Sequence, residues 1–544
     1  MSSVYFRKRL LLFLIPLYVI ILSSIFLRAF YPFYLSQPDP CYMYLFNGMN
    51  LAGGNMEIGH IDNPGTTVQC FAAVVIFIKH IFSPSHAPLF QDVITNSESY
   101  LYTCSIVLII LFVCINYFTG AYIFRQTGNI GLSLLFQLTP LININIIRRV
   151  IELEPESFII LAAPFFMAYL FVKDPENKIG LIKKLNNKTV ILFSIFSGFL
   201  IATKYTCVPV VFLVLFILEN RKQRILYTGM VIMSFFFFVL PALPKIRNMY
   251  KWVWGLLSHD GIYGKGEERV VNPSQFVKNI KDLFLTDTIF TCIYCIITIA
   301  FLVVLVNRIR KKEAIPFFRT ISGIWISITA LILLVAKHCD FHYLIFAECC
   351  FPFGLITSYK ILAASFARNV HGFIKYEKKI LYSTFVLFIM FLIVEKIRYI
   401  PFSYSQPASI DKYMNTYKDL PLIISTKNGL QCERKEPALY LGYMYSGGLQ
   451  STYAQFLKEI YPNTYIYWDG SLMLTHWDEY ISIADFAARN KKVLFYLKGY
   501  DDTIQVSLVH KFYIKSIRSK FDAQEIYKDA GTGQDIYLMN NSYE

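Results

Sequence analysis

Arg7-Lys8-Arg9 is followed without a break by Leu10–Phe30, LLLFLIPLYVIILSSIFLRAF, and this junction decides how the rest of the chain is read. A helix needs about 20 apolar residues to cross the hydrocarbon core of a bilayer, and the run supplies them with three cations on its N-terminal side. A cleaved signal peptide would need a small-residue cleavage site, and Arg28-Ala29-Phe30-Tyr31-Pro32 is a poor one. The expectation is an uncleaved anchor with its N-terminus in the cytoplasm.

The composition extends this reading to most of the 544 residues. Hydrophobic residues make up 55% and charged residues 16%, with 48 Phe and 38 Tyr. Mean hydropathy is +0.45. A soluble domain carries about 25% charged residues and cannot hide so much apolar surface. Disorder, fibrous repeats and a disulfide scaffold are excluded together. The net charge of +15 does not point to nucleic acid, because Lys and Arg gather in short clusters after the apolar segments, as the positive-inside rule requires. The 11 cysteines are scattered; Cys292 and Cys295 form a CxxC inside an apolar run and read as core, and Cys432 stands alone in the C-terminal region.

Residues 31–98 are expected to form one long outer loop, with an amphipathic helix over Tyr42 to Leu51. The apolar stretch Val68 to Phe82 is short for a span and is expected to lie against the interface. Further spans are expected at about 99–124, 129–147, 157–173, 189–203, 205–219, 224–242, 284–306, 317–337, 341–362 and 379–399. With the first, these make about eleven and leave the C-terminus outside. The fold class is therefore a polytopic α-helical membrane protein: residues 1–399 form the membrane domain and 400–544 a small extracytoplasmic α/β domain. In the latter, Leu422–Ser425 and Val493–Leu497 read as buried strands, Glu436–Tyr445 and Trp477–Arg489 as helices, and Glu525–Tyr527 with Asp535–Leu538 as a closing hairpin.

On this topology the unusual polar residues collect on the outside. The first loop holds Gln37-Pro38-Asp39-Pro40 and Gly59-His60-Ile61-Asp62-Asn63-Pro64-Gly65-Thr66-Thr67. The others are Arg148 to Ser157 with Glu152, Glu154 and Glu156, Thr203-Lys204-Tyr205-Thr206, Ser258 to Gly266 with His259, Tyr263 and Lys265, and Lys337-His338-Cys339-Asp340-Phe341-His342-Tyr343. Arg148, Arg149, Lys204, Lys265 and Lys337 break the positive-inside rule. Cations kept at an outer surface beside carboxylates suit a lipid phosphate, and a nearby carboxylate suits proton abstraction from a hydroxyl. Each residue also has a plain structural reading: Asp39 and Asp62 as turn residues, Arg148 and Arg149 as complements to a helix C-terminus, Glu156 as a carboxylate at a helix start. Lys204 fits such a reading least, since an idle lysine between two apolar runs is expensive. His338 and His342 are four apart, but no third metal ligand accompanies them, so no metal site is assigned.

One span, a long outer loop with an early Asp, a Pro-Gly-Thr element, an acidic second outer loop, a Thr-Lys-Tyr turn, a Lys-His…His-Tyr turn and an outer α/β domain together resemble the GT-C glycosyltransferases. The branch resembled is that of protein O-mannosyltransferases and lipid A aminoarabinose transferases. The resemblance covers about the first 400 residues as an architecture, on short motifs. It implies an inverting transfer of a hexosyl or pentosyl group from a polyprenyl-phosphate donor to a glycan, lipid or protein acceptor of the cell envelope. It implies Asp39 as base near the acceptor, with Asp62, Glu154 and Glu156 as further catalytic candidates. Glu154 or Glu156 stands where those enzymes more often have Asp. Arg148, Arg149, Lys204, His259, Tyr263, Lys265, Lys337, His338 and His342 would bind the donor phosphate. No cofactor is assigned, with a divalent cation left open, and the setting expected is a bacterial inner membrane. The alternatives are a polysaccharide polymerase or ligase using lipid-pyrophosphate glycans, and a lipid or glycan transporter.

Overall fold

The computed structural model describes residues 9–138, 141, 144–177, 185–261, 264–311, 315–337, 340–366, 414, 416–426, 434–468, 471–498, 520–529 and 534–542. The chain is mostly helical. Among the described residues, six helices are long and apolar enough to cross a membrane: Arg9–Phe30, Ser97–Thr127, Pro155–Lys173, Thr288–Arg310, Phe318–Ala336 and His342–Ser365. The protein is a multi-pass membrane protein with a small C-terminal sheet.

The remaining expected spans differ for identifiable reasons. The stretch 129–147 is divided into Ile130–Leu138 and Ile144–Val150, and Pro140 lies between them. Proline lacks the N–H a continuous helix would need and clashes with the preceding turn. Asn187–Thr203 and Tyr205–Ile217 are apolar but shorter than a span, because the helix ends at Lys204. Arg221–Phe238 bends by 84° into Leu240–Ser258, at a 3-10 segment containing Pro241 and Pro244. Counting that bent pair as one span raises the number to seven. Thr66–Ile81 forms the expected short helix. The span expected at 379–399 lies outside the described residues.

Two compact units divide the chain: the first takes Met1–Leu27, Ile61–Val68 and Ser105–Ile400, the second Arg28–His60, Gln69–Cys104 and Pro401–Glu544. In the first unit, Pro155–Lys173 and His342–Ser365 are the most enclosed spans, with 83% of each buried, whereas Thr288–Arg310 is 28% buried. Aromatic packing fills the space around them: Phe166 stacks on Phe196 at 5.1 Å, Phe171 meets Phe353 at 5.6 Å and Phe301 stacks on Trp325 at 4.3 Å. Gly198 lets the helix Asn187–Thr203 approach Arg221–Phe238 so closely that a Cβ would sit 2.5 Å from that of Ser234. Asn116 and Gln137 exchange side chain-to-backbone hydrogen bonds of 2.8 and 3.1 Å across neighbouring helices.

The second unit is built on a seven-stranded sheet in the order β4-β3-β2-β1-β5-β7-β6. The strands are β1 Leu422–Thr426, β2 Thr464–Tyr467, β3 Met473–His476, β4 Glu479–Ser482, β5 Lys492–Lys498, β6 Lys520–Asp529 and β7 Gln534–Ser542. β2, β1 and β5 run parallel and the other neighbours antiparallel. The strands expected at Leu422–Ser425 and Val493–Leu497, the helix from Glu436 and the closing hairpin are present. The helix expected over Trp477–Arg489 is instead a hairpin, β3 to β4, followed by the short helix Ile483–Arg489. Ser482 caps that helix through the Asp485 N–H at 3.0 Å, so the helix starts where a cap residue stands.

Two asparagines of Pro38–Ala52 tie the first-loop segment to the C-terminal segment within this unit. Asn47 donates to the Tyr445 carbonyl at 2.8 Å and accepts from the Gly59 N–H at 2.7 Å, and Asn50 donates to the Ser446 carbonyl at 2.5 Å. Gly447, at φ +75, lies where a Cβ would meet the Glu57 carbonyl oxygen at 2.3 Å. Gly447→Ala combines a left-handed backbone with a backbone clash and should destabilise this unit by about 2–4 kcal/mol, read as a lowered thermal midpoint. Unchanged melting would show that the two segments are not held together as described.

His60 is 5% exposed, wedged edge-on between Tyr44 at 4.9 Å and Tyr445 at 5.5 Å, and among the described residues neither ring nitrogen has a hydrogen-bond partner. Burial lowers its pKa from 6.5 to about 4. The unfolded chain therefore takes up this proton well before the folded one. The stability contribution is complete above about pH 6.5 and falls by about 3 kcal/mol as the pH drops to 4. His60→Phe should remove that part of the acid sensitivity, measured as thermal midpoint against pH; an unaltered acid limb would contradict the assignment.

Candidate functional site: a buried charged cluster at the head of an apolar groove

The site lies in the first unit and starts from a tight turn. Ile144–Val150 ends with Arg148 and Arg149, four residues turn the chain, and Pro155 starts the central helix. Pro at this first position loses nothing, since its N–H would be unsatisfied anyway. The turn is pinned by Ser157, whose hydroxyl donates to the Arg149 carbonyl at 2.7 Å, and by Ser105, which donates to the Ile151 carbonyl at 2.5 Å. This geometry turns three glutamates inward, at 0%, 1% and 2% exposure for Glu152, Glu154 and Glu156.

Arg148 Nε donates to Glu152 Oε1 at 2.8 Å. Arg149 Nη1 reaches Glu152 Oε2 at 3.2 Å and Glu154 Oε2 at 2.6 Å. Lys204 projects into the bundle from the break between Asn187–Thr203 and Tyr205–Ile217, and its ammonium donates to Glu156 Oε1. His342 Nε2 lies 3.3 Å from the same oxygen, and its Nδ1 lies 2.5 Å from Asp340 Oδ1. The ring of Tyr343 sits 3.9 Å below the Lys204 ammonium, a cation–π contact.

Four carboxylates thus face three permanent cations and one histidine. The three glutamates are enclosed, so a charge left uncompensated among them is costly, whereas Asp340 is half exposed to solvent. Glu154 is the carboxyl that yields: burial pushes its pKa well above the ordinary range, Arg149 pulls against that, and Glu156 and Glu152 push it further up. Its Oε1 is buried, with no hydrogen-bond partner among the described residues. At Asp340 burial also pushes upward, but the hydrogen bond and charge of His342 outweigh it and hold the carboxyl below its usual value. Burial thus moves Glu154 and His342 moves Asp340 in opposite directions, so the carboxyls of the cluster are not equivalent.

The Pro64-Gly65 turn reaches the same cluster. Gly65 takes φ +66, so a side chain there would be strained, and the chain emerges with Thr67 sharing a hydrogen bond of 2.8 Å with Thr203. Thr66 donates to the Phe238 carbonyl at 2.8 Å, and Asp62 lies within electrostatic reach of Tyr205.

Away from the charges, the same helices line a wholly apolar groove of about 570 Å³. Phe158, Leu161, Ala162 and Phe165 come from Pro155–Lys173, and Phe199, Phe196 and Ile195 from Asn187–Thr203; Ile115, Phe118 and Phe238 complete it. Along both helices it starts within a turn or so of the cluster, Phe158 two residues past Glu156 and Phe199 five before Lys204. Comparison with protein-family models and with curated proteins gives no match for the chain. The chemistry is therefore read from the site itself.

Of the residues singled out from the sequence, Asp62, Arg148, Arg149, Glu154, Glu156, Lys204 and His342 come together here. Lys337 is directed elsewhere: its ammonium donates to the carbonyls of Leu256 and Leu257, at the C-terminal end of Ile246–Ser258, where a cation is favoured. His259 Nδ1 lies 2.9 Å from the Ser258 hydroxyl, and Lys265 is exposed. Tyr263 and His338 lie outside the described residues. Asp39 belongs to the second unit, where it interrupts Pro38–Ala52 with extended backbone. It is solvent-exposed, yet the protein around it removes enough water to raise its carboxyl pKa. Among the described residues no group of three or more His, Cys, Asp or Glu could hold a metal ion. Glu152, Asp340 and Tyr343 stand in the outer turns quoted from the sequence but are given no site role there. The one sequence cue for them was the density of acidic and aromatic residues in the two turns.

Proposed function

We propose that the protein is a membrane glycosyltransferase that takes a sugar from a polyprenyl-phosphate donor. The observation that supports this reading is the continuity of charge and apolar groove: an amphiphile with a phosphate head and a long hydrocarbon tail needs both, joined end to end. Arg149 and Lys204 supply charge where the leaving phosphate would develop it. Asp39 keeps the role that the resemblance gives it, accepting the proton of an acceptor hydroxyl. The hydroxyl oxygen forms the new bond to the anomeric carbon as the bond from that carbon to the phosphate oxygen breaks, inverting the centre and releasing polyprenyl phosphate. The acceptor is a glycan, lipid or protein of the cell envelope. Eleven spans, a cytoplasmic N-terminus and a bacterial inner membrane belong to the same proposal.

The test is transfer by purified protein from radiolabelled polyprenyl-phosphate sugars, beside Asp39→Asn. The variant should lose at least about 100-fold in rate while melting normally. Full transfer by Asp39→Asn would remove Asp39 as the base.

A further inference from the structure

The second unit carries an aromatic face that the transfer chemistry does not use. On β3 and β4, Thr475 pairs directly with Tyr480, and on β2 and β3, Ile466 pairs with Thr475. Trp468, just past the end of β2, lies on the same side, since Tyr440 neighbours Trp468, Thr475 and Tyr480 alike. β4 is the edge of the sheet. Trp468 is 44% and Tyr480 64% exposed, whereas Tyr440 and Tyr443, from the helix Glu436–Met444, are buried at 2% and 5% beside them.

The face is rigid. The Tyr440 ring lies 6.2 Å from Trp468 and its hydroxyl is within hydrogen-bonding reach of both Trp468 and Thr475. Trp477, at φ +57 in the β3–β4 turn, is held by Tyr440, Tyr443 and Tyr461 at 6.3, 6.4 and 6.1 Å. A bulky residue in left-handed backbone is strained, and the surrounding rings keep it there. The rim is polar. Asp478 and Glu479 both pair with Lys458 at 2.5 Å, leaving one net negative charge and exposed carboxylate oxygens.

We infer that this face is a carbohydrate platform, binding a neutral or amine-bearing oligosaccharide. Exposed ring faces carry partial negative charge and attract the C–H faces of sugar rings, while carboxylate oxygens accept from sugar hydroxyls. The net negative rim disfavours an anionic lipid surface, the other common destination for exposed Trp and Tyr. Rings already locked in place bind with little ordering cost. The inference rests on the glycosyltransferase reading only for its physiological role, as the element that holds a glycan acceptor.

The experiment uses the full chain in lipid nanodiscs, with no donor, and measures binding of cellohexaose and chitohexaose by calorimetry and tryptophan fluorescence. One or both should bind, with affinity falling at least about tenfold in Trp468→Ala and in Tyr480→Ala, with melting unchanged, and largely kept in Tyr480→Phe. Binding by neither sugar, or equal binding by the Trp468→Ala/Tyr480→Ala double variant, would overturn the platform. So would quenching by brominated phospholipid of the emission that distinguishes wild type from Trp468→Phe, which would put the face in the membrane. Because the binding assay contains no donor, it is independent of the transfer assay: sugar binding here with no transfer there leaves the platform standing and removes the transferase reading, and transfer there without sugar binding here does the reverse.

Discussion

Lys204→Met is expected to destabilise the first unit by about 3–5 kcal/mol, the loss typical of stripping one partner from a buried ion pair. The methionine fills similar space, so the loss is electrostatic: Glu156 is left 2% exposed with the lysine charge gone. Combining Lys204→Met with Glu156→Leu should recover most of the loss, because removing both charges removes the uncompensated one. Thermal or denaturant unfolding of the two single variants and the double variant measures the coupling directly. Additive effects would mean that the pair does not hold the two helices as described. Transfer should be lost in the two variants that lack the lysine, since the proposed donor contact depends on it.

Ala162→Trp is expected to lower transfer about 100-fold, equivalent to about 2.7 kcal/mol of lost binding. Ala162 lines the groove between Leu161 and Phe165, and an indole there would occupy space assigned to the lipid tail. Melting should shift little, because the added ring enters the groove of about 570 Å³ rather than packed protein. The loss should appear mainly as a raised KM for long-chain donors and should shrink for a donor with a short tail. Equal losses for long and short tails would mean that the groove does not hold the tail.

The membrane class was legible because it depends on run length and charge placement, which are local. The failures were equally physical. Hydropathy does not register that Pro241 and Pro244 turn the chain by 84° after Phe238. The hairpin at Trp477 was read as helix because its turn carries Trp-Asp where a Gly or Asn would announce positive φ. Lys204 was legible as a site residue because a charge between apolar runs needs a partner. That the partner is Glu156, 48 residues away, is a tertiary fact. The same holds for Asn50 and Tyr453, hydrogen-bonded at 2.6 Å across 403 residues. The pairing of nearly every cation in the cluster with a glutamate was not legible either. It changes the picture of the site from exposed phosphate ligands to a network of buried ion pairs.

The most direct measurement is release of polyprenyl phosphate from a radiolabelled polyprenyl-phosphate sugar by the purified protein in nanodiscs, wild type beside Lys204→Met/Glu156→Leu. This variant keeps the fold while removing the proposed phosphate contact. The account predicts steady release by the wild type and at least a 100-fold loss, by order of magnitude, in a variant that still melts cooperatively. No release from any monophosphate donor, or equal release by the variant, would contradict it.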